Sequence, residues 1–164
     1  MRTIKTQGKK KHERKTGMEV YIGGRAQGKL EYVRAKYPEK DRIVSGGDAG
    51  IEDCLEADVI DHFHLFIRRY GEDREAARAA VERIMEANPG VIIVCDEIGC
   101  GIVPMERAER EYRELVGRIM CRVVSRADRV ERLVCGLAQR LKPAGNETCS
   151  RSDLSEQLHV PGRK

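Results

Sequence analysis

A glycine-rich segment that ends in a lysine is the part of this sequence best suited to chemistry. It reads Gly23-Gly24-Arg25-Ala26-Gln27-Gly28-Lys29, which matches the pattern G-x-x-x-x-G-K. Glycines let backbone N–H groups turn inward around phosphate oxygens, and the lysine adds a positive charge for the outer phosphates. The pattern predicts binding of a nucleotide. An ordinary glycine turn with a surface lysine is the simpler alternative.

The residue after this lysine departs from the pattern. A Ser or Thr hydroxyl there normally ligates Mg²⁺, but the sequence has Leu30, which cannot bind a metal. Phosphate binding can persist through the backbone and Lys29, whereas we expect Mg²⁺ placement to suffer. The segment 23–30 is called the P-loop below. Its predicted nucleotide contacts are Gly23, Gly24, Arg25, Ala26, Gln27, Gly28, Lys29 and Leu30.

Acidic residues at the ends of two predicted strands are the candidate partners of the P-loop. Asp61 follows an apolar run and is the candidate Mg²⁺ ligand. Asp96 and Glu97 follow the run Val91–Cys95, and either can orient a water, a metal or an acceptor hydroxyl. The candidate catalytic residues are Lys29, Asp61 and Glu97. Two alternatives stay open: Asp61 as a solvated acid, and Glu97 as a partner for loop N–H groups.

Histidines and cysteines give weaker indications. His62 and His64 are two residues apart, so on a strand they share a side and can bind a metal with Cys54 or Cys95. Structural histidines are the interpretation we favour. The six cysteines form no C-x-x-C pair, and several, such as Cys135, lie in apolar runs. We therefore predict buried, reduced thiols.

Predicted strands alternate with predicted helices along most of the chain. Strands are expected at 19–22, 42–45, 58–62, 91–95, 130–135 and 137–141, and helices at 29–37, 51–57, 63–70, 73–87 and from Pro104 onward. This alternation predicts a three-layer α/β domain with a mostly parallel sheet, and together with the G-x-x-x-x-G-K segment it indicates a P-loop NTPase-like fold. The loops after Ile22, at Asp61 and after Cys95 then meet at the carboxyl ends of the strands, where such sheets bind ligands.

Charge divides the chain into three parts. Residues 1–17 hold seven Lys and Arg residues against one Glu, a net +6, and the other residues total −2 because the whole chain carries +4. We predict a disordered basic tail at 1–17, the nucleotide-binding domain at 18–142 and a polar C-terminal tail at 143–164 with a short helix near Asp153–Leu158. The basic tail can contact nucleic acid or anionic lipid, although an unstructured extension is the simpler interpretation.

Several function classes are disfavoured by composition. The slightly acidic body and the low aromatic content of 4% argue against nucleic acid as the main partner. The sequence has neither the apolar run of a membrane span nor that of a signal peptide. We therefore expect a cytoplasmic protein without a membrane partner.

The segment Asp96–Pro104 carries a family resemblance. With the helix after it and its Gly117-Arg118 pair, it resembles the bifunctional adenosylcobinamide kinase/adenosylcobinamide-phosphate guanylyltransferases of cobalamin biosynthesis. Asp61–Leu65, the strand-glycine-strand ending Asp128–Lys142 and the double glycine of the P-loop are similar as well. Together these segments cover most of residues 18–142.

The resemblance implies a P-loop fold, homotrimers and two reactions. The family uses a nucleoside triphosphate, GTP or ATP with Mg²⁺, to phosphorylate the aminopropanol hydroxyl of adenosylcobinamide. It then transfers GMP through a guanylylated histidine. Carried over, the resemblance assigns phosphate binding to Gly23, Gly24, Gly28 and Lys29, the metal side to Asp61, and the loop after the buried strand to Glu97.

Two departures from the family decide the predicted function. The guanylylated histidine belongs between the second and third strands, where residues 41–57 contain no histidine, so we expect the guanylyltransferase to be lost. Leu30 and Asp96 stand where the family has Ser and Asn. We predict an adenosylcobinamide kinase-like protein that binds GTP or ATP. A catalytically weak nucleotide-binding sensor or partner protein is the alternative, and nucleic-acid binding through the tail ranks third.

Overall fold

Residues 17–142 are described by the computed structural model. The tail 1–16 and the segment 143–164, including the short helix predicted near Asp153–Leu158, lie outside them. The strands are β1 (Glu19–Gly23), β2 (Ile43–Ser45), β3 (Val59–Asp61), β4 (Ile92–Asp96), β5 (Arg129–Val134) and β6 (Leu137–Lys142). The helices are α1 (Lys29–Lys36), α2 (Ile51–Glu56), α3 (Phe63–Arg68), α4 (Arg74–Ala87) and α5 (Arg107–Arg126).

Six strands form one sheet in the order β2-β3-β4-β1-β5-β6. The first five are parallel, and β6 pairs antiparallel with β5. The carboxyl ends of β1, β3, β4 and β5 therefore meet at one edge of the sheet. The predicted P-loop NTPase-like α/β fold is confirmed.

Apolar side chains pack in one cluster on each face of the sheet. Alternate strand residues separate the clusters, because successive side chains point to opposite faces. Val20 and Ile93 belong to the larger cluster, which includes residues of α2 to α5. Tyr21 and Ile92 belong to the smaller one, beneath α1. Two helical layers thus enclose the sheet.

The central strand β4 shows why the sheet holds this arrangement. Residues Val91–Cys95 are all buried, as the continuous apolar run predicts for a strand covered on both faces. Helix α4 begins where predicted, because the Asp73 carboxylate accepts a hydrogen bond from the Ala76 N–H at 2.9 Å and caps the first turn.

Three expectations about local structure are wrong. Helix α5 begins at Arg107 instead of at Pro104. Pro104 lies in the preceding loop, where its carbonyl accepts a hydrogen bond from the Arg110 guanidinium at 2.9 Å. The helical spacing of Ala108 from the apolar residues Tyr112 and Leu115 predicts that Ala108 faces the core, but Ala108 is exposed. The prediction of buried thiols holds for Cys54 and Cys95, whereas Cys100, Cys121 and Cys135 are exposed, Cys135 because it lies in the turn between β5 and β6.

No helix within residues 17–142 is long and apolar enough to cross a membrane.

Candidate functional site

The P-loop connects the end of β1 to the start of α1. A Cβ on Gly23 would lie 2.4 Å from the Leu133 carbonyl oxygen on β5, so a side chain at this position would collide with the neighbouring backbone. Gly28 caps α1 with φ of 77°, a left-handed conformation that favours glycine. The first N–H groups of α1 have no acceptor within the helix. The loop therefore presents a helix N-terminus suited to anions.

Lys29 is the charged centre of the site. Its ammonium group lies 2.7 Å from Asp96 Oδ1 and donates a hydrogen bond to the Gly24 carbonyl at 2.8 Å. Its side chain is only 6% exposed. Asp96 reaches it because β1 and β4 are neighbours whose register pairs Gly23 with Asp96. A buried cation thus lies at the loop, neutralised by one carboxylate.

His64 contacts both the backbone and the side chain of Asp96. The Asp96 backbone N–H points at His64 Nδ1 at 3.4 Å, and His64 Nε2 lies 3.9 Å from Asp96 Oδ2. Burial lowers the pKa of His64 below its ordinary value of 6.5, and it outweighs the negative charge of Asp96, which acts to raise that pKa. The ring is therefore neutral at pH 7. The Tyr112 hydroxyl donates to the His64 carbonyl at 2.8 Å. This histidine is packed and hydrogen-bonded, and it also lines a cavity beside the P-loop.

Asp61 is paired with the residue that follows it. Its Oδ2 lies 3.0 Å from His62 Nδ1, and its Oδ1 accepts a hydrogen bond from the His62 backbone N–H at 2.9 Å. The idea that His62 and His64 share one side of a strand is wrong. The strand ends at Asp61, His62 turns left-handed with φ of 52°, and His64 lies in α3. The two rings are 5.9 Å apart between centroids.

Beside the P-loop lies a cleft of about 220 Å³. It is lined by residues 25–31 of the loop and of the first turn of α1, together with Asp61, His62 and Asp96. In the described part of the chain, no group of three or more His, Cys, Asp and Glu side chains is placed to hold a metal ion. Two carboxylates in one cleft nevertheless suit Mg²⁺, which takes one or two carboxylates and completes its shell with phosphates and water.

Glu97, unlike Asp96, lies outside this cleft. Its carboxylate pairs with the Arg132 guanidinium at 2.9 Å, and its backbone N–H donates to the Gly23 carbonyl at 2.9 Å. It lines a neighbouring cavity of about 320 Å³, which shares Arg25 and Asp96 with the P-loop cleft. The structure thus gathers Lys29, Asp61 and Asp96 around one cleft and places Glu97 in the next.

Leu30 extends the apolar cluster beneath α1. It packs against the smaller core cluster, which includes Tyr21 and Val33, and also lines the P-loop cleft. The position that normally supplies a metal-binding hydroxyl supplies packing instead.

One contact at the site has no signal in the sequence. The Gln27 side-chain oxygen accepts a hydrogen bond from the Cys135 N–H at 2.5 Å, and the Gln27 carbonyl accepts one from the Gly136 N–H at 3.1 Å. These residues are separated by 108 positions. The turn between β5 and β6 therefore supports the P-loop. The Arg132 partner of Glu97 was likewise not predicted.

Comparison with known proteins connects this site to a family. The model of the family described as cobinamide kinase / cobinamide phosphate guanyltransferase, CobU, matches residues 47–141, more than half of the chain. The chain belongs to the CobU family. The matched range includes Asp61, Asp96 and Glu97, whereas the P-loop precedes it.

Two CobU relatives are both bifunctional adenosylcobalamin biosynthesis proteins. The relative from Salmonella typhimurium LT2 is 38% identical over 52 residues, and that from Escherichia coli K12 is 35% identical over 52 residues. Each match covers 32% of this chain and 29% of the relative. The aligned part thus spans less than a third of the curated relatives.

Proposed function

We propose that this CobU-family chain is an adenosylcobinamide kinase-like protein that binds GTP or ATP and transfers the terminal phosphate to the acceptor. The observation that carries the proposal is the buried Lys29 ammonium at the head of a cleft that Asp61 and Asp96 also line. A lysine charge and free helix N–H groups attract the triphosphate. The carboxylates of Asp61 and Asp96 lie where Mg²⁺ bound to the triphosphate would be held.

The roles of the P-loop residues follow from their places. Gly23 and Gly28 shape the turn, Gly24 and Lys29 are linked across it, and residues 25–30 line the cleft. The proposal gives all eight residues from Gly23 to Leu30 contacts with the nucleotide. Lys29 exchanges its Asp96 partner for a phosphate oxygen when the nucleotide enters.

Mg²⁺ fits the proposal as an ion carried by the nucleotide. Asp61 would hold it, directly or through water, and Asp96 is free to join once Lys29 has moved to phosphate. The ion would neutralise charge on the phosphates during transfer. Because Leu30 offers no hydroxyl, this site has one ligand fewer than the usual P-loop.

The acceptor belongs in the cavity next to the P-loop cleft. That cavity shares Arg25 and Asp96 with the nucleotide side, so a hydroxyl there lies beside the terminal phosphate. Glu97 lines it and is proposed to orient the hydroxyl. We infer an adenosylcobinamide-like acceptor from the family description and from the names of the two relatives.

The guanylyltransferase reaction is proposed to be lost. The connection between β2 and β3 spans residues 46–58, contains only the short helix α2, and has no histidine. We further propose that residues 18–142 act as one nucleotide-binding domain in the cytoplasm. A homo-oligomer, a trimer by resemblance, is supported by the exposed apolar side chains Ile102, Val103 and Met105.

Nucleotide binding and phosphate transfer test the proposal directly. Calorimetry with GTP and ATP in the presence of Mg²⁺ should show binding, and Lys29→Ala should weaken it by about a hundredfold, as removal of a charged phosphate ligand predicts. Lys40→Ala, on a lysine that pairs with Asp58, is the matched control. Incubation with labelled nucleotide and adenosylcobinamide should yield a phosphorylated product. Absence of nucleotide binding by the unchanged protein would overturn the proposal.

A second candidate is a nucleotide-binding sensor or partner protein with weak catalysis, and Leu30 is the observation that favours it. This candidate predicts nucleotide binding without phosphate transfer to any acceptor. The same two measurements therefore separate it from the kinase.

A further inference from the structure

Asp61 and His62 place an oxygen and a nitrogen atom side by side in the P-loop cleft. His62 Nδ1 lies 3.0 Å from Asp61 Oδ2, and both residues line the cleft. The His62 side chain is 47% exposed, so the pair is open to a ligand in the cleft. The other carboxylate oxygen, Oδ1, accepts a hydrogen bond from the His62 backbone N–H at 2.9 Å, which leaves Oδ2 for the ring.

The backbone holds the two side chains in this arrangement. His62 adopts a left-handed conformation with φ of 52°, which a residue other than glycine keeps only with support from its surroundings. The Gly46 N–H donates to the Asp61 carbonyl at 2.7 Å, and the Leu65 N–H donates to the His62 carbonyl at 2.8 Å. A Cβ on Gly46 would lie 2.6 Å from that His62 oxygen, so a side chain there would collide with it. The pair is therefore positioned by the fold itself.

The distance between Asp61 Oδ2 and His62 Nδ1 suits a shared metal ion. In an octahedral site with bonds of ~2.1 Å, neighbouring ligand atoms are about 3.0 Å apart. The two atoms already have this separation. Two protein ligands are enough beside a nucleotide, because phosphate oxygens and water fill the remaining positions. His62 thus offers a metal ligand in the same cleft in which Leu30 offers none.

A nitrogen ligand changes which ions a site prefers. Mg²⁺ takes oxygen ligands, whereas the imidazole nitrogen suits transition-metal ions. With nitrogen and oxygen ligands, affinity rises along the series Mn²⁺, Fe²⁺, Co²⁺ and Ni²⁺. The usual P-loop site, with its serine or threonine hydroxyl, offers oxygen to the ion. Exchanging that hydroxyl for an imidazole should therefore move the preference away from Mg²⁺.

We propose that Asp61 Oδ2 and His62 Nδ1 together bind a divalent transition-metal ion carried by the nucleotide, and that this site binds Mn²⁺ or Co²⁺ in preference to Mg²⁺. The proposal rests on the nucleotide binding proposed above and adds a metal ligand and a metal preference. His64 is not part of this site, because its ring nitrogens lie near Asp96.

GTP affinity with two different ions tests the preference. Calorimetry on the whole chain compares GTP binding with Mg²⁺ and with Co²⁺. We expect Co²⁺ to strengthen binding about tenfold over Mg²⁺, equivalent to ~1.4 kcal/mol, and His62→Asn to reduce this ratio toward one. Asparagine is the matched replacement, because it tolerates the left-handed conformation and carries no imidazole nitrogen. His159→Gln, outside residues 17–142, controls for the loss of another histidine.

Electron spin-echo spectroscopy of bound Mn²⁺ supplies a measurement that does not depend on affinity. A nitrogen bonded to Mn²⁺ modulates the echo, and ¹⁵N labelling of histidine alters this modulation only when the nitrogen belongs to a histidine. We expect labelling to alter the modulation of the Mn²⁺–GTP complex of the unchanged protein, and to have no effect in His62→Asn. The purine nitrogens of GTP stay unlabelled and do not contribute to the difference.

The outcomes distinguish this inference from the proposed function. If the whole chain binds GTP with neither Mg²⁺ nor Co²⁺, the nucleotide site itself is refuted. If GTP binds but His62→Asn keeps the full Co²⁺ preference, or histidine labelling leaves the echo of the unchanged protein as it was, the P-loop site stands and His62 is only a hydrogen-bond partner of Asp61. Should His62→Asn not fold, His62→Gly replaces it, since glycine adopts the left-handed conformation freely.

Discussion

The Lys29 ammonium and the Asp96 carboxylate lie 2.7 Å apart, although they belong to α1 and to the end of β4. Without a ligand, the Asp96 carboxylate neutralises the Lys29 charge that a phosphate would otherwise neutralise. Asp96 therefore competes with a phosphate for Lys29. It also keeps a nearly buried lysine from being an uncompensated charge.

The first prediction concerns this competition. Asp96→Asn should raise the affinity for GTP measured with EDTA about tenfold, because one negative charge beside the phosphates is removed. With Mg²⁺ present the gain should shrink or reverse, since Asp96 is then needed near the ion. Calorimetry under both conditions measures the difference. Asp58→Asn is the control, because Asp58 directly precedes β3, at the opposite end of the parallel strands from the P-loop. An equal gain with and without Mg²⁺ would show that Asp96 does not lie beside the ion.

The second prediction concerns Leu30. Leu30→Ser restores the usual hydroxyl and should raise the Mg²⁺-dependent rate of phosphate transfer about tenfold, which corresponds to lowering the activation free energy by ~1.4 kcal/mol. Leu30→Ala is the matched control, because it removes a similar amount of apolar packing without adding a hydroxyl. Equal rates for the Ser and Ala variants would mean that metal placement is not the defect, and would favour the binding-only candidate.

Much of this arrangement could be predicted from local sequence, and the reason is physical. The P-loop is defined by glycines whose conformations few other residues adopt, and β4 by an unbroken apolar run. Both are properties of neighbouring residues, so the segment 23–29 and the run Val91–Cys95 were located correctly. The acids at the sheet edge followed from the parallel order expected of alternating strands and helices.

What the sequence could not supply is which distant residues meet. Gln27 and Cys135 are 108 positions apart, and their contact depends on β5 being the neighbour of β1. Glu97 was expected at the P-loop because it adjoins Asp96, but successive residues after a strand diverge, and Arg132 holds it in the next cavity. Helix α5 starts later than Pro104 because loop contacts outweigh the preference of proline for a first turn.

The third prediction tests the loss of the guanylyltransferase. Incubation with GTP labelled in the α-phosphate should leave no acid-labile label on the protein, because residues 46–58 offer no histidine. Denaturing gels before and after acid treatment measure this. His62 lines the P-loop cleft, so His62→Gln is the variant to compare. A label that disappears in His62→Gln would show that this histidine carries the nucleotidyl group.

The last prediction concerns a buried cluster that fastens α1 to the sheet. Lys36, on the last turn of α1, donates hydrogen bonds to the Tyr21 hydroxyl at 2.8 Å and to Glu131 Oε1 at 3.1 Å. Arg129 donates to the same Glu131 oxygen at 2.6 Å, and Glu131 is 3% exposed. Burial acts to raise the pKa of Glu131, but hydrogen bonds from Lys36, Tyr32 and Arg129 outweigh it and hold the pKa below the ordinary value of 4.5.

A carboxyl whose pKa is lower in the folded protein stabilises the fold above its ordinary pKa and loses that contribution as pH falls through the folded value. The contribution of Glu131 to the free energy of unfolding, measured by urea titration, should therefore be constant above pH 4.5 and decline below it. Glu131→Gln should lower stability at pH 7 by about 3 kcal/mol, the cost of breaking a buried ion pair, and should flatten the decline in acid. Glu86→Gln, on an exposed carboxyl of α4, should change neither. An acid dependence identical in Glu131→Gln and the unchanged protein would show that this cluster does not control the attachment of α1, and with it the position of the P-loop.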